Sequence, residues 1–486
     1  MAETRRTGGI CGVRLRPRSM CPRLGTRRSG RTAICVTTVT STGAPPVDPN
    51  TLLRSRDYLR LLGLAAAIGL PISAVAYAFL TLVHYLQHWV FEDLPHGLGF
   101  HEVPAWWPLP VLGLAGILVG LVIRYLPGGG GHSPAHGFQP GGRPDPRHLP
   151  GVVVAAVVGL GLGVVLGPEA PLIAMGGGLA VLALGRGQAA RPPQVVAVVA
   201  AAGSFAAIAT LLGSPLVGAF LLMEAVGIGG PALGMVLVPG LLSAGIGALI
   251  FLGLGRWTGL GTFSLSVPNL PPVPALTLGQ LGWAVVIGAI ATVLGTGIRH
   301  AALRLEPVAR QHVMLVTPMM GVVIAALAIV YAQITGHSTA DVLYSGQTQL
   351  GPLLQDSATY SFGALILLLV CKSLAYTAAL GSFRGGPIFP AAFLGAAVGV
   401  AVSHLPGLPV LAGASMGIAA MTVTVLRLPL TSVLLTVLVM GDNGIQLTPI
   451  IIIAAIVAYV LGARLSPSPH PAASSTPSSA PAASGS

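Results

Sequence analysis

Between Gly151 and Ile250 the chain carries only four charged residues, Glu169, Arg186, Arg191 and Glu224. Glu169 stands at the opening of a helix, framed by Gly167-Pro168 and Ala170-Pro171 in an otherwise apolar segment. An ionised carboxylate at such a place costs about 2.5–3.5 kcal/mol on membrane-insertion scales unless something compensates it. A helix N-terminus supplies part of that compensation through its unpaired N–H groups and positive dipole end. A carboxylate in that seat can leave it on protonation, or yield it to a competing anion. Glu169 is therefore a candidate gate and proton carrier, with a plain helix cap as the alternative. Glu224, ten residues into a helix beginning near Pro215, reads as an interface or membrane-end carboxylate, with a proton relay as its second reading. Arg186 and Arg191 fall in the polar linker Gly185–Gln194 and read as solvated.

The elements that must position these groups are membrane helices. Of 486 residues, 53% are hydrophobic and 8% charged, with 66 glycines, and the mean hydropathy is +0.83. Long apolar stretches recur from about Leu59 to Gly462, without the ten-residue alternation of a β-barrel. The fold class is an all-α polytopic membrane protein. The net charge of +12 sits largely in tails and loops, which gives nucleic-acid binding little support. Residues 1–56 read as a disordered basic tail, held on the cytoplasmic side by its arginines. Its composition also resembles an organellar transit peptide, and with only one lysine among 25 basic residues a start codon annotated too early is a further reading. Residues 464–486, rich in Pro, Ala and Ser, read as a second disordered tail. Cys11, Cys21, Cys35 and Cys371 have no metal-ligand or stapling pattern.

Glycine and proline interrupt the apolar blocks at Gly128–Pro134, Gly167–Pro171, Gly213–Pro215, Gly385–Pro390 and Leu428–Pro429. Polar linkers are expected at Gly137–Pro150, Arg256–Leu276 and Gly336–Ala358. The interruptions recur: Gly203 to Pro215 and Gly417 to Pro429 are both twelve residues. The halves are offset by 390 − 171 = 219 and 429 − 215 = 214 residues. Two halves with broken helices in corresponding positions point to a transport site near the bilayer midplane. Irregular backbone at that depth must be buried in protein or line a cavity. Convergent helix N-termini bind anions without a fixed cation, so the pattern favours anionic cargo.

These motifs resemble the CLC family of chloride channels and chloride/proton antiporters, from about Leu59 to Gly462. Gly167-Pro168-Glu169-Ala170-Pro171 is similar to the family's Gly-Arg/Lys-Glu-Gly-Pro gate motif. Leu367 through Gly399, with Gly385-Gly386-Pro387-Ile388-Phe389-Pro390, is similar to the segment ending in Gly-x-Phe-x-Pro. Pro215-Leu216 followed by Glu224, and Pro429-Leu430 followed by Asp442-Asn443, resemble its two Pro-Leu helices. The resemblance implies inverted repeats, about 57–255 and 277–463 within a membrane domain at 57–463, in a homodimer with one anion pathway per subunit. It sets Glu169 on the external gating glutamate.

It also exposes departures. The family's anion-coordinating serine falls on Gly131, with His132 and Ser133 as substitutes at a two-residue shift that would aim their side chains elsewhere. The inner-gate tyrosine falls on Gly444. Pro387 lacks an N–H where one often holds the anion, while Ile388 retains its own. The antiporters' internal glutamate falls on Ala225, as in uncoupled channels, although some relatives couple without it.

The resulting expectation is movement of chloride or a similar small anion, channel-type or weakly proton-coupled. Glu169 and Glu224 are its gating or proton groups, and Gly131, His132, Ser133, Gly386, Ile388, Phe389 and Gly444 its anion-binding positions. A chloride/proton antiporter with an unconventional internal proton route is the alternative. The reading calls for no catalytic residue, metal or cofactor. The expected setting is the lipid bilayer of the plasma membrane, with both termini cytoplasmic. An intramembrane hydrolase using His132-Ser133 or His337-Ser338, a metal-cation transporter using Glu169 and Glu224, and a purely structural scaffold are the readings from other classes.

Overall fold

The computed structural model describes residues 55–137, 145–185, 193–227, 231–259 and 265–465. The two tails read from sequence lie outside these residues, apart from their innermost positions, and so do Arg186 and Arg191.

The first half opens with α1 (Arg56–His88), capped by Ser55, whose Oγ accepts from the N–H of Tyr58 at 3.1 Å. A π turn and a short helical turn extend it to Gly97. There follow α2 (Pro108–Tyr125), α3 (Leu149–Gly161), α4 (Glu169–Ala183), α5 (Pro193–Leu212), α6 (Pro215–Val226) and α7 (Pro231–Thr258). The second half holds α8 (Gly279–Gln311), α9 (Val313–Thr335), α10 (Gln347–Gln355), α11 (Phe362–Ser382), α12 (Ile388–Val402), α13 (Val410–Leu426), α14 (Pro429–Val439) and α15 (Gly444–Leu465). Among the described residues eight helical segments are long and apolar enough to cross a membrane. The protein is an all-helical integral membrane protein. One expected linker is corrected: the stretch Gly336–Ala358 contains α10, whose Leu350, Leu353 and Leu354 are buried.

The helices begin where the sequence breaks. Proline opens α6 and α14 at the first helical position, where its missing N–H would have had no intrahelical partner. Four successive glycines, Gly128 to Gly131, all have positive φ between the end of α2 and α3, a backbone course closed to most side chains.

The short helices α12 and α13 lie at the centre, and the long helices α7, α8 and α9 at the periphery. Every residue of α13 except its first, Val410, is buried, and so is all of α12 but its last residue, Val402. The long helices instead expose large apolar side chains such as Leu249, Val293, Leu315 and Ile334, suited to lipid contact. Close packing of the central pairs depends on glycine. A Cβ on Gly176 of α4 would run into the carbonyl oxygen of Gly203 of α5, and the reverse holds too. Gly395 of α12 and Gly417 of α13 meet in the same way. These pairs correspond at the same offsets as the sequence motifs, 395 − 176 = 219 and 417 − 203 = 214.

The halves also meet each other at corresponding residues. Gly167 N–H donates to Gly386 O at 2.8 Å and Gly386 N–H donates to Gly167 O at 2.6 Å, an antiparallel bridge. Because 386 − 167 = 219, each glycine bonds its own counterpart. A pseudo-two-fold axis therefore passes between them, the hallmark of an inverted repeat.

Gly417→Val is expected to destabilise the protein by about 1–3 kcal/mol, because the added atoms meet backbone that cannot move aside. Thermal unfolding in detergent reads this as a lowered midpoint. Gly297→Val, which enters open space, serves as the control and should leave the midpoint nearly unchanged.

Candidate functional site

Glu169 is the first residue of α4, and its side chain is wholly buried. The carboxylate does not project into solvent: it crosses to the facing half, where the Ile388 N–H donates to its Oε1. The N–H groups of Phe389 and of Glu169 itself also stand in hydrogen-bonding reach. The carboxylate thus occupies the N-terminus of α12, whose preceding residue, Pro387, offers no side-chain cap. Since 388 − 169 = 219, Glu169 and Ile388 are counterparts, and the bond lies beside the same pseudo-axis. The other oxygen, Oε2, is buried without a hydrogen-bond partner. A methyl group on either Gly167 or Gly386 would overlap the carboxylate, so both glycines are required by proximity.

Tyr376, fully buried on α11, donates its hydroxyl to Pro387 O at 2.7 Å. That oxygen belongs to the same peptide group as the Ile388 N–H, so the tyrosine fixes the orientation of the donor facing Glu169. One turn earlier, Lys372 is also fully buried. Its ammonium donates to the carbonyls of Asp341, Val342 and Leu343 at 2.7, 3.2 and 3.1 Å and lies 4.4 Å from the Phe393 ring of α12. Together the two side chains tie α11 to the start of α12. Sequence reasoning missed Tyr376; its signal was one phenol four residues beyond a buried lysine in an apolar run.

A cavity of about 720 Å³ opens beside this cluster. Gly131, His132, Ser133, Pro171, Ser204 and Pro387 contribute to its wall. Ser133 precedes a 3-10 turn, Pro134–His136, but its hydroxyl does not cap it. Its Oγ is instead buried with no hydrogen-bond partner. His132 is exposed. Gly444 is not among the residues of this wall: it opens α15, packed against Val437 of α14. The resemblance sets this position at the inner gate; in the structure it forms the tight α14–α15 turn.

Glu224 has a different task. Its carboxylate accepts from the N–H of Leu430 at 3.0 Å, and from the N–H and hydroxyl of Thr431 at 2.8 and 2.6 Å. It therefore caps α14 from α6. The counterpart helix needs no such help, because Ser214 caps α6 through the Val217 N–H at 3.4 Å. The position equivalent to Ser214 is Leu428, 428 − 214 = 214, which cannot cap.

Of the histidine–serine pairs in the hydrolase reading, His337-Ser338 is otherwise engaged, whereas the Ser133 hydroxyl has no partner. His337 stacks on Tyr360 at 4.4 Å, and Ser338 accepts from the Ala340 N–H. Among the described residues no group of three or more His, Cys, Asp or Glu is placed to hold a metal ion.

Against this geometry, a family profile described as voltage gated chloride channel matches residues 134–463. The chain belongs to this family. Among curated relatives, YfeO of Escherichia coli (strain K12 / DH10B), described as a candidate ion-transport protein, is 28% identical over 416 residues, covering 84% of this chain and 94% of YfeO. YfeO of Shigella flexneri serotype 5b (strain 8401) matches to the same extent. The fold is shared with a slow cyanobacterial Cl-/H+ antiporter, with TM-score 0.66 and 20% identity over 84% of this chain and 95% of that one. A CLC-type fluoride/proton antiporter matches with TM-score 0.59 and 20% identity, over 84% and 96% of the two chains. A eukaryotic CLC transporter matches with TM-score 0.60 and 18% identity, over 84% and 72%.

For this member of the voltage gated chloride channel family, Glu224→Ala is expected to lower stability by about 1–3 kcal/mol, the cost of removing the partner of buried or charge-bonded donors. Glu224→Gln, which keeps an acceptor, should recover much of that loss. Equal unfolding midpoints for wild type and Glu224→Ala would remove the capping role.

Proposed function

We propose that this chain moves chloride or a similar small anion across the membrane, through a pathway in each subunit of a homodimer, gated by Glu169. The observation that carries the reading is the Glu169 carboxylate resting on the N-terminus of α12. That is a seat built from N–H donors, in which an anion and a carboxylate compete. Protonation neutralises Glu169 and removes its attraction to the helix end; the side chain then swings away and the seat becomes available. Ile388 and Phe389 supply N–H groups to the arriving anion, with Tyr376 holding the donor peptide. Ser133, its hydroxyl uncommitted, supplies a further donor from the first repeat, while Gly131 and His132 shape the cavity. Gly386 permits the approach of either anion. The repeats run over about 57–255 and 277–463 in a membrane domain at 57–463, with both termini cytoplasmic in the plasma membrane.

A channel-type or weakly coupled pathway is supported by the state of the second carboxylate. Glu224 is held by three donors as a helix cap, and Ala225 occupies the place of the family's internal glutamate. Chloride/proton antiport is the second reading, favoured by the fold shared with chloride/proton and fluoride/proton antiporters.

The test is anion flux from chloride-loaded liposomes with external pH recorded in parallel, comparing wild type with Glu169→Gln. Chloride efflux without proton movement, altered in rate by the substitution, is the expected result. Efflux that drives proton uptake, with the proton component abolished in Glu169→Gln, would establish the antiport reading instead. No anion flux from either protein, where another family member is active, would overturn the assignment.

A further inference from the structure

Away from Glu169, a second and smaller cavity of about 70 Å³ lies between α8, the end of α13 and the last turns of α15. Thr296, Arg299, His300, Arg427 and Tyr459 contribute to its wall. Two guanidiniums share this space, with Arg427 in Coulombic reach of Arg299. Like charges repel, so such a pairing is normally offset by a carboxylate. Among the described residues neither arginine forms an ion pair with an acid. The Nε of Arg299 is buried and has no hydrogen-bond partner, an unmade bond that is costly for a charged group.

An independent observation concerns the backbone. Arg427 ends α13 in the left-handed conformation, with φ +60, where a residue with a Cβ is strained. The corresponding position of the first repeat, 427 − 214 = 213, is Gly213 with φ +64. One repeat uses the residue that suits this turn, and the other tolerates an arginine there. Packing does not account for the exchange, because the Arg427 side chain is exposed.

The donors define the ligand. Two planar forks, with an imidazole and hydroxyls beside them, match the several acceptor oxygens of a phosphate group. The cavity admits a group of that size and not a long chain. Its position fits as well: α8 and α15, which form two of its walls, carry Arg310 and Arg464 in their last turns, and such a bias marks the cytoplasmic side. Basic pockets between membrane helices on that side take phosphorylated head groups. We propose that this pocket binds the phosphate group of an anionic ligand at the cytoplasmic edge of the membrane, with Arg299 and Arg427 as its two forks. A lipid head group and free phosphate offer the same chemistry. The site is separate from the anion seat at Glu169, and its test does not depend on transport.

The test uses the full-length protein in neutral detergent, with thermal unfolding followed against concentration of short-chain phosphatidic acid, short-chain phosphatidylcholine and inorganic phosphate. Phosphatidic acid is expected to raise the midpoint saturably, and phosphatidylcholine is not. Arg427→Asn, which suits the left-handed backbone and alters an exposed side chain, should weaken half-saturation by roughly tenfold or more. Arg299→Gln should do the same, and Arg299→Lys should retain part of the affinity. Inorganic phosphate that binds with the same arginine dependence and displaces the lipid would identify the free ion as the source. Binding of phosphatidic acid alone would identify the head group. No saturable shift with either probe, or equal shifts in wild type and Arg427→Asn, overturns the proposal.

Discussion

A helix that begins inside an apolar interior leaves N–H groups with neither water nor an earlier turn to bond, and the cost of leaving them so is several kcal/mol per group in a membrane. The first turn of α12 has this problem, and the solution comes from the other repeat. Glu169 lends its carboxylate to the Ile388 N–H, and the burial of a charge and the burial of free donors offset each other. Most of the central architecture serves this one contact. The mutual bridge of Gly167 and Gly386 brings the two helix starts together on the pseudo-axis. The absence of side chains at those glycines leaves room for the carboxylate.

What fixes the contact is rigid packing behind it. Gly395 and Gly417 let α12 lie directly on α13, as Gly176 and Gly203 let α4 lie on α5. In a bilayer, where lipid is as apolar as a leucine side chain, close backbone approach and interhelical hydrogen bonds carry association. Lys372 adds a polar clamp of a costlier kind. A buried ammonium is tolerated because three carbonyls and an aromatic face surround it, and the result is a fixed α11 from which Tyr376 reaches the donor peptide.

Much of this was legible in the amino-acid sequence because it depends on local rules. Proline at a break in an apolar block opens a helix, and the helix starts at Glu169, Pro215, Ile388 and Pro429 follow. The repeat was legible through its offsets, and the structure turns the same 219 residues into a hydrogen bond between Glu169 and Ile388. Partnerships between distant residues were not legible. Nothing near Glu224 announces that Leu428, 204 residues away, fails to cap its helix (428 − 224 = 204). Tyr376 was hidden for a similar reason, since its partner Pro387 lies across a helix break. The helix α10 went unread because its buried face is only three leucines.

The two carboxylates of the first repeat differ in ways that favour Glu169 over Glu224 as the proposed gate. Both sit on the N-terminus of a second-repeat helix, so the attraction of the helix end is common to both. Glu224 adds the Thr431 hydroxyl at 2.6 Å, uses both oxygens and stands partly exposed, so its charge is well supported where it is. Glu169 is wholly buried and has one oxygen without a partner. Burial opposes its charged form, while the helix end favours it, so the two effects act against each other. In the proposed function a proton or a competing anion acts on that opposition. The same residue type on the same kind of helix end is thus a fixed cap in one place and, in the proposed function, a movable plug in the other, according to how many donors surround it and how much water reaches it.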